Sequence, residues 1–370
     1  MKRDMSKKRI CFIAQFPPPM HGLSKAVDTL YRSELNKEYD FEKVNITDNK
    51  NFIKNMIQVA RSHADLFYFT ISQTRGGNFR DLLLLKFIHL KKRRCLVHLH
   101  GGYYRTLIDG LGNWQKKANY KAIARLNGAI VLGPSLKWIF AEMLPEDKIF
   151  TVPNCVDDEY LMSDEEFEEK LSTIEERKIK HVLYLSNLIG SKGYPEVLKM
   201  AKFEKERCLL EGYRKYHFDF AGNFFEKEEE TFFFSYVREH RLEEYVTYHG
   251  MVDKDKKRAL IKKSDIFVLL TRYPKEGQPI SILEAMGNGM LIVTTDHAGI
   301  PDIIGNDNYI VRKNTKVEYK VMDQYFDNNT IIQLYRTNRN TVLEKYTEQK
   351  YVAHMRKVYQ CVLAEKKCYF

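Results

Sequence analysis

Residues 264–287 read SDIFVLLTRYPKEGQPISILEAMG and carry the strongest structural signal in the chain. Residues 266–270 form an uninterrupted apolar run of the length of a buried β-strand. A polar loop with Gly277 follows, and Pro279 favours a helix start because its fixed φ suits the first helical turn. The stretch therefore predicts a strand, a loop and a helix in direct succession, which is the repeating unit of parallel α/β folds.

The same alternation of short apolar runs with amphipathic segments recurs along all 370 residues. It predicts an α/β protein of two Rossmann-like, doubly wound domains that face a central cleft. The predicted strands are 10–15, 41–45, 66–69, 95–100, 129–132 and 149–152, then 181–186, 218–221, 246–248, 266–270, 291–294 and 309–311. Helices are predicted at 23–34, 52–62, 82–92, 114–126, 136–143 and 341–363. Ligands of such sheets bind beyond the carboxyl ends of the strands.

The domain boundary is expected in the acidic segment 157–178, which lacks a strand pattern and is interpreted as a solvated helix or linker. This places an N-terminal domain at residues 1–177 and a C-terminal domain at 178–346. The last helix, about residues 347–370, is expected to pack back on the first domain.

The composition is that of a globular protein, with 44% hydrophobic and 29% charged residues. No run approaches the roughly 18 to 20 apolar residues that span a bilayer. The apolar run 10–16 is stopped by prolines, so it is predicted to be a first strand and not a signal peptide. The six cysteines form no CxxC pair, so reduced thiols and a cytoplasmic location are expected.

The formal charge of +11 favours an anionic partner. The chain contains no helix-turn-helix, zinc-finger or RNA-binding aromatic motif, so no nucleic-acid partner is expected. Residues 82–94, LLLLKFIHLKKRR, leave two interpretations open. They form either a core helix with a solvated basic end, which we prefer, or a helix on an anionic membrane face that would attach the protein peripherally.

Two carboxylates, Glu276 and Glu284, frame the loop and the predicted helix start of the opening stretch, with seven residues between them. A helix N-terminus offers free backbone N–H groups and a partial positive charge, which suit hydroxyls or phosphate. The carboxylates accept hydrogen bonds from sugar and ribose hydroxyls. The pattern therefore predicts a site for a phosphorylated sugar compound.

This stretch, with the sequence that continues to Ile304, resembles the retaining group 1 (family 4) glycosyltransferases of the GT-B fold, whose signature is a pair of glutamates with seven residues between them. The resemblance implies that the C-terminal domain binds the nucleotide sugar and that the N-terminal domain lies on the acceptor side. The resemblance implies that Glu276 contacts the donor sugar and Glu284 the ribose. It also implies that the backbone of the loop cradles the sugar and pyrophosphate, through Gly277, Gln278, Pro279 and Ile280.

A second candidate is Lys192, in the strand–loop–helix sequence LYLSNLIGSKGY of residues 183–194. A lysine there can place its ammonium on a diphosphate. The family resemblance implies this role for Lys192. It places an arginine where Asn187 stands, so half of the usual cationic clamp is missing. Stabilisation of the leaving group is then expected from Lys192, a helix dipole or a distal arginine such as Arg272.

Three further strand ends supply candidates. Gly22 follows the proline-rich loop after the first strand, a loop that resembles the family's first loop, and its backbone is expected to approach the donor phosphate or the acceptor. His98 and His100 share one face of a strand because side chains alternate, and an i, i+2 histidine pair invites a metal, but no third ligand lies nearby. The resemblance instead implies that His100 lies close to the donor sugar and acceptor, and that Gly222 lies beneath the nucleotide.

We therefore expect a metal-independent hexosyltransferase that uses a nucleotide sugar, a UDP-sugar in preference to a GDP-sugar, as substrate, without a cofactor. The resemblance implies retention of configuration, with Glu276, Lys192 and His100 as catalytic residues. The acceptor would be a glycan or lipid-linked glycan in cell-surface polysaccharide assembly, such as capsule, exopolysaccharide or O-antigen. Two alternatives remain: a nucleotide-sugar epimerase of the same fold, and a non-catalytic partner subunit of a glycosyltransferase.

Overall fold

A computed structural model describes residues 7–19, 22–313, 317–327 and 330–364 of the chain. The chain divides into two compact units. The first comprises Met1–Cys155, Pro274–Gln278 and Glu348–Phe370, and the second comprises Val156–Tyr273 and Pro279–Thr347. Among the described helices, none combines the length and the apolar character that crossing a membrane requires.

Each unit contains a parallel six-stranded sheet in the described part of the chain. The first sheet has the order β2-β1-β3-β4-β5-β6, and the second has the order β12-β11-β10-β7-β8-β9. The strands of the first unit are β1 (Arg9–Ala14), β2 (Asp40–Asn45), β3 (Leu66–Thr70), β4 (Arg94–His98), β5 (Gly128–Val131) and β6 (Ile149–Thr151). Those of the second are β7 (Lys180–Leu185), β8 (Tyr216–Ala221), β9 (Val246–Tyr248), β10 (Ile266–Leu269), β11 (Leu291–Thr295) and β12 (Tyr309–Val311).

Helices connect the strands, as parallel pairing requires. The first unit contains α1 (Gly22–Arg32), α2 (Phe52–Arg61), α3 (Arg75–Leu90), α4 (Tyr104–Asp109) and α5 (Asn113–Ile123). The second contains α6 (Asp164–Thr173), α7 (Tyr194–Glu211), α8 (Lys227–Glu239), α9 (Lys254–Lys263), α10 (Ile280–Gly287), α11 (Val321–Asp327) and α12 (Ile331–Lys345), and α13 (Glu348–Ala364) returns to the first unit.

All predicted strands are present, with ends that differ by no more than two residues from those expected. The helices differ more. Residues 136–143 were expected to be a helix, but the structure has a 3-10 turn at Pro134–Ile139. Helix α4 was not predicted because its six residues are too few to show a helical period. The helix predicted at 341–363 is interrupted at Tyr346, where α12 has ended and α13 has not begun.

The acidic segment is part of the second unit and not a linker, so the division falls earlier than residue 177. Helix α6 begins with a capping box between Ser163 and Glu166. Its apolar residues Phe167 and Leu171 are buried in the core of the second unit. The exposed glutamates that suggested a linker occupy only the outer face of this helix.

Helix α13 completes the core of the first unit. Its buried side chains Tyr351, Met355 and Tyr359 belong to the same apolar cluster as Phe12 and Tyr68 of the first sheet. The rings of Tyr68 and Tyr359 lie 6.2 Å apart, edge to face. The first hydrophobic core is therefore built from both ends of the chain.

The cysteines Cys11, Cys95, Cys155 and Cys208 are free thiols. Cys361, on α13, is disulfide-bonded. The expectation of reduced thiols is therefore wrong at Cys361. The lack of a CxxC pair was not sufficient evidence against a disulfide.

Lys170 of α6 is buried and donates hydrogen bonds to the carbonyl oxygens of Ser264 (2.6 Å) and Asn288 (3.0 Å). Burial lowers its pKa to about 7, against the opposing attraction of Asp265. The unfolded state therefore binds this proton more tightly than the folded state does. As a result, the free energy of unfolding rises with pH between about pH 7 and pH 10, by at most about 1.4 kcal/mol per pH unit.

We expect this contribution to disappear in Lys170→Met. Urea unfolding at pH 7, 8.5 and 10 should show the stability difference between wild type and variant growing with pH. The exposed neighbour Lys178 provides the control, since Lys178→Met should leave the pH dependence unchanged. A difference that stays constant over this range would contradict a neutral buried amine at Lys170.

Candidate functional site

The second sheet has its topological switch point between β7 and β10, where the strand order reverses. Ligands of doubly wound sheets bind at such a point, beyond the carboxyl ends of the strands. Two loops meet there: the loop after β7, which leads to Lys192, and the loop after β10, which contains Arg272 and Tyr273. The topology therefore supports a ligand site at the place where Lys192 was proposed.

Lys192 ends a 3-10 turn, Gly190–Lys192, directly before α7. Its Nζ lies 3.2 Å from Ser186 Oγ and 5.4 Å from the ring centre of Tyr273. Gly193 follows with a φ of +87°, and a Cβ there would lie 2.4 Å from the carbonyl oxygen of Leu270. Only glycine fits this close approach of the two loops, and the approach holds the half-buried ammonium of Lys192 at the switch point.

Three hydrogen bonds fix the turn that carries Lys192. The Gly190 amide donates to Glu229 Oε1 (2.7 Å), while the Tyr194 hydroxyl donates to Glu229 Oε2 (2.5 Å). The Arg272 amide donates to the Ser191 carbonyl oxygen (2.7 Å). Sequence analysis did not find Glu229, since a glutamate in an acidic helix start has no distinguishing pattern.

Arg272 was considered as a substitute for the missing clamp arginine. Its Nη1 pairs with Asp296 Oδ1 at 2.5 Å, and its Nη2 donates to the Val311 carbonyl oxygen at 3.0 Å. Partial burial alone would raise the pKa of Asp296, but the hydrogen bond and charge of Arg272, together with backbone hydrogen bonds such as that from the Lys313 amide, hold that pKa below its usual value. The guanidinium is thus engaged inside the second unit, and Lys192 remains the principal cation at the switch point.

Asn187 and Gly222 lie at the carboxyl ends of β7 and β8. Asn187 is exposed, and its carbonyl oxygen accepts a hydrogen bond from the Tyr184 hydroxyl (3.1 Å). Gly222 has a φ of +146°, and a Cβ there would lie 2.0 Å from the Ser186 carbonyl oxygen. Its amide donates to the Gly250 carbonyl oxygen (2.9 Å). Gly222 therefore packs directly against the residue that contacts Lys192.

Glu284 is buried inside α10, and its Oε1 accepts a hydrogen bond from Lys257 Nζ at 2.6 Å. The same ammonium lies 3.9 Å from the ring centre of Tyr160. Burial, with the negative charges of Glu159 and Glu284, raises the pKa of Tyr160 to about 12. Lys257 was not singled out from the sequence, because it lies in a basic run that suggested only a general affinity for polyanions.

In the loop before α10, residues 274–278 are grouped with the first unit. The chain returns to the second unit at Pro279. Glu276 is half-buried. A Cβ at Gly277 would lie 2.9 Å from the Cα of Gly101, so this position admits no side chain without movement. Helix α10 begins at Ile280, and Pro279 is its N-cap and not its first helical residue.

The side chain of Gln278 is committed to the first unit. Its Oε1 accepts from the Asn154 amide (2.8 Å), and its Nε2 donates to the Leu132 carbonyl oxygen (3.2 Å). The Gln278 carbonyl oxygen accepts from Asn154 Nδ2 (2.8 Å). Gln278 was predicted to cradle the donor through its backbone, and its side chain has a structural task beside that predicted role.

His98 and His100 lie on one face, as the strand period predicts, with ring centres 3.9 Å apart. His98 is fully buried, and its Nδ1 lies 2.7 Å from the Tyr68 hydroxyl. Burial, aided by His100, holds the pKa of His98 well below its usual value, so His98 stays neutral. His100 is half-buried and lies beyond the end of β4.

Gly22 is the first residue of α1 and is exposed. Ser24, two residues later, donates a hydrogen bond to the Pro19 carbonyl oxygen (2.9 Å) and so ties the helix to the proline-rich loop. Residues 20 and 21 of this loop lie outside the described residues. No group of three or more metal-ligating side chains is assembled in the part of the chain that the structure describes.

A buried carboxylate that sequence analysis missed lies inside β8 of the second sheet. Asp219 of β8 lies 2.7 Å from both His181 Nδ1 and His249 Nε2. Burial alone would raise the pKa of Asp219, but these two hydrogen bonds lower it. The pairing holds His249, and thereby the neighbouring Gly250, against Gly222.

Residues 164–328 match the model of a family described as "Glycosyl transferases group 1". Over this stretch the chain is similar to the group 1 glycosyl transferases. The glycosyltransferase MJ1069 of Methanocaldococcus jannaschii, itself uncharacterized, is 24% identical over 322 residues, which cover 79% of this chain and 75% of that protein. WcaL of Salmonella typhimurium, a putative colanic acid biosynthesis glycosyltransferase, is 29% identical over 84 residues, 21% of either chain.

The fold is shared with solved glycosyltransferase structures. Anabaena Alr3699/HepE in complex with UDP has a TM-score of 0.73 at 11% identity, covering 95% of this chain and 99% of that chain. The same protein in complex with UDP-glucose gives a TM-score of 0.70 at 13% identity, with the same coverage. The chain therefore has the GT-B fold, and its family match lies in the second unit except for residues 274–278.

Proposed function

We propose that this glycosyl transferase moves a hexose from a UDP-sugar to a glycan or lipid-linked glycan, with retention of anomeric configuration and without a metal ion. The observation that carries the proposal is the position of Lys192 at the topological switch point of the second sheet. Solved structures of the same fold in complex with UDP and UDP-glucose support the choice of nucleotide.

In this proposal the donor diphosphate lies against the Lys192 ammonium and the first backbone amides of α10. That helix has no side-chain cap at its N-terminus among the described residues, so its amides suit an anionic group. Glu284 accepts hydrogen bonds from the ribose hydroxyls, and Lys257 keeps its carboxylate oriented. Gly222 lets the nucleotide approach the sheet edge without a side chain in the way.

The bond from the sugar C1 to the diphosphate oxygen breaks as the acceptor oxygen bonds to C1 from the face that the leaving group vacates. Negative charge grows on the diphosphate, and Lys192 stabilises it electrostatically. The acceptor proton leaves with the diphosphate. The proposal assigns Glu276 to the hydroxyls of the donor sugar and His100 to the surroundings of the reacting carbon.

The setting we propose is cell-surface polysaccharide assembly at the cytoplasmic face of the membrane. The match to a putative colanic acid biosynthesis glycosyltransferase supports this setting. A lipid-linked acceptor would bring the enzyme to the membrane surface, and the basic end of α3 suits such an attachment.

UDP should stabilise the protein against heat, and GDP and ADP should do so less. A ligand at 100 times its Kd adds about 2.7 kcal/mol to the free energy of unfolding, which gives a readily measured rise in Tm. Nucleotide sugars that raise Tm should then be incubated with and without glycan acceptors, and the anomeric configuration of the product determined by NMR.

Transfer to an acceptor with the configuration of the donor retained would support the proposal. An epimerised donor formed without acceptor would identify the epimerase alternative. If no nucleotide changes the Tm, the donor site proposed around Lys192 is wrong.

A further inference from the structure

A cationic cavity lies at the amino edge of the first sheet, the opposite edge from His100. Its volume is about 500 Å³, within the range of small-ligand sites. It is lined by Asp65, His89, Lys92, Arg93, Arg94, Arg125 and Asn127. These residues come from the chain just before β3, from the end of α3 with the start of β4, and from the turn that precedes β5.

Among the described residues that line this cavity, the charge is one-sided. Four cationic side chains face one carboxylate there, and Asp65 already accepts hydrogen bonds from the Arg9 amide (2.9 Å) and from Lys8 Nζ (3.5 Å). Lys92, Arg93 and Arg125 form no ion pair with any residue in the described ranges. Cations gathered without a counter-charge repel one another, so an anion bound among them is stabilised.

Lys91, the other cation of this run, has a different task. Its Nζ donates to the carbonyl oxygens of Ala60 (2.5 Å) and Ser62 (2.6 Å) at the C-terminal end of α2. Lys91 thereby turns away from the cavity, while Lys92 follows with a φ of +52°. A non-glycine residue in the left-handed region is uncommon. At Lys92 this conformation changes the direction of the chain, so that Lys91 contacts α2 and Lys92 lines the cavity.

Helix α3 has two different faces beside the cavity. Leu84, Leu85 and Ile88 are buried, so the helix is a core element, as we preferred from the sequence. Its outer face nevertheless leaves Phe87 38% and Leu90 70% exposed, next to the cavity residue His89. Exposed apolar side chains beside cations match the interface of a bilayer with anionic headgroups.

We propose that the cavity binds a phosphate group, with Arg93 and Arg125 as principal ligands, and that the phosphate is the headgroup of an anionic lipid into whose surface Phe87 and Leu90 insert. Planar guanidinium groups suit phosphate because they donate two parallel hydrogen bonds. The inference builds on the membrane attachment in the proposed function but does not depend on sugar transfer.

The test is cosedimentation of the full chain with vesicles of phosphatidylcholine alone and of phosphatidylcholine with 30% phosphatidylglycerol, a composition chosen at roughly the anionic content that gives a marked surface potential. We expect binding to the anionic vesicles only, weakening with salt because the contacts are electrostatic. Arg93→Glu/Arg125→Glu should lower the vesicle affinity at least about tenfold, in keeping with about 1 kcal/mol per lost cation.

Lys227→Glu/Lys256→Glu is the matched control, because it makes the same change in net charge at exposed positions of the second unit. It should bind the anionic vesicles nearly as well as wild type. Equal losses in the two double variants would show that only net charge matters and would overturn the site.

A second arm titrates inorganic phosphate and pyrophosphate by calorimetry. Binding that is lost in Arg93→Glu/Arg125→Glu and is stronger than vesicle binding would assign the cavity to a soluble phosphate and overturn the lipid source. No binding of either vesicles or phosphates would overturn the site as a whole. Because no arm requires a donor or turnover, such a failure leaves the proposed transferase activity unaffected.

Discussion

Lys192→Ala should lower kcat about 100- to 1000-fold, the range seen when a group that stabilises developing charge is removed. The ammonium is held beside Ser186 and Tyr273 at the switch point, and Arg272 cannot take over without giving up Asp296. The loss should fall mainly on kcat, because charge on the diphosphate grows toward the transition state. Steady-state kinetics with a UDP-sugar measures both constants.

Lys199→Ala serves as the control for this variant. Lys199 lies on α7, the helix that follows Lys192, in an exposed pair with Glu196, so its removal should leave kcat within about twofold of wild type. A Lys192→Ala enzyme with nearly normal kcat would remove this lysine from the mechanism, and the electrostatic account of leaving-group departure with it.

Gly222→Ala should destabilise the second unit by about 2–5 kcal/mol and abolish nucleotide binding. The new methyl group would meet the Ser186 carbonyl oxygen at 2.0 Å, and backbone does not yield as a flexible side chain does. The φ of +146° adds strain to this collision. Because Ser186 contacts Lys192, the displacement reaches the diphosphate site as well. Chemical denaturation and UDP titration measure the two effects.

Gly212→Ala separates strain from collision. Gly212 ends α7 with a φ of +82°, and no atom lies within 4 Å of a Cβ built there. We expect a cost of about 1 kcal/mol from the left-handed backbone alone, with UDP affinity unchanged. If Gly222→Ala proves as mild as Gly212→Ala, the close packing between the ends of β7 and β8 is not as tight as described.

The strands and the position of Lys192 were predictable because both follow from local patterns. Continuous apolar runs such as Ile266–Leu269 define buried strands, and a lysine with a glycine after such a run marks a strand end. The family resemblance of residues 264–304 then suggested Glu276 and Glu284 as partners. The strand order of the second sheet independently supports a ligand site at Lys192, because the switch point between β7 and β10 lies there.

The partners of these residues were not predictable, because they come from distant parts of the sequence. Nothing near Lys257 indicates that its ammonium pairs with Glu284, 27 residues later. Nor does the signature loop indicate that the side chain of Gln278 contacts Asn154, 124 residues away. The acidic residues of α6 suggested a solvated helix or linker. The burial of Phe167 was not predictable because it depends on packing against the core of the second unit.

The place of α13 has a consequence for how the chain folds during synthesis. Residues 7–155 leave the ribosome first, yet the apolar cluster around Phe12 and Tyr68 lacks Tyr351, Met355 and Tyr359 until Glu348–Ala364 have been made. Until then the earlier-made part exposes apolar surface, a condition that favours aggregation and recruits chaperones. The first unit to begin translation is thus the last to close its core.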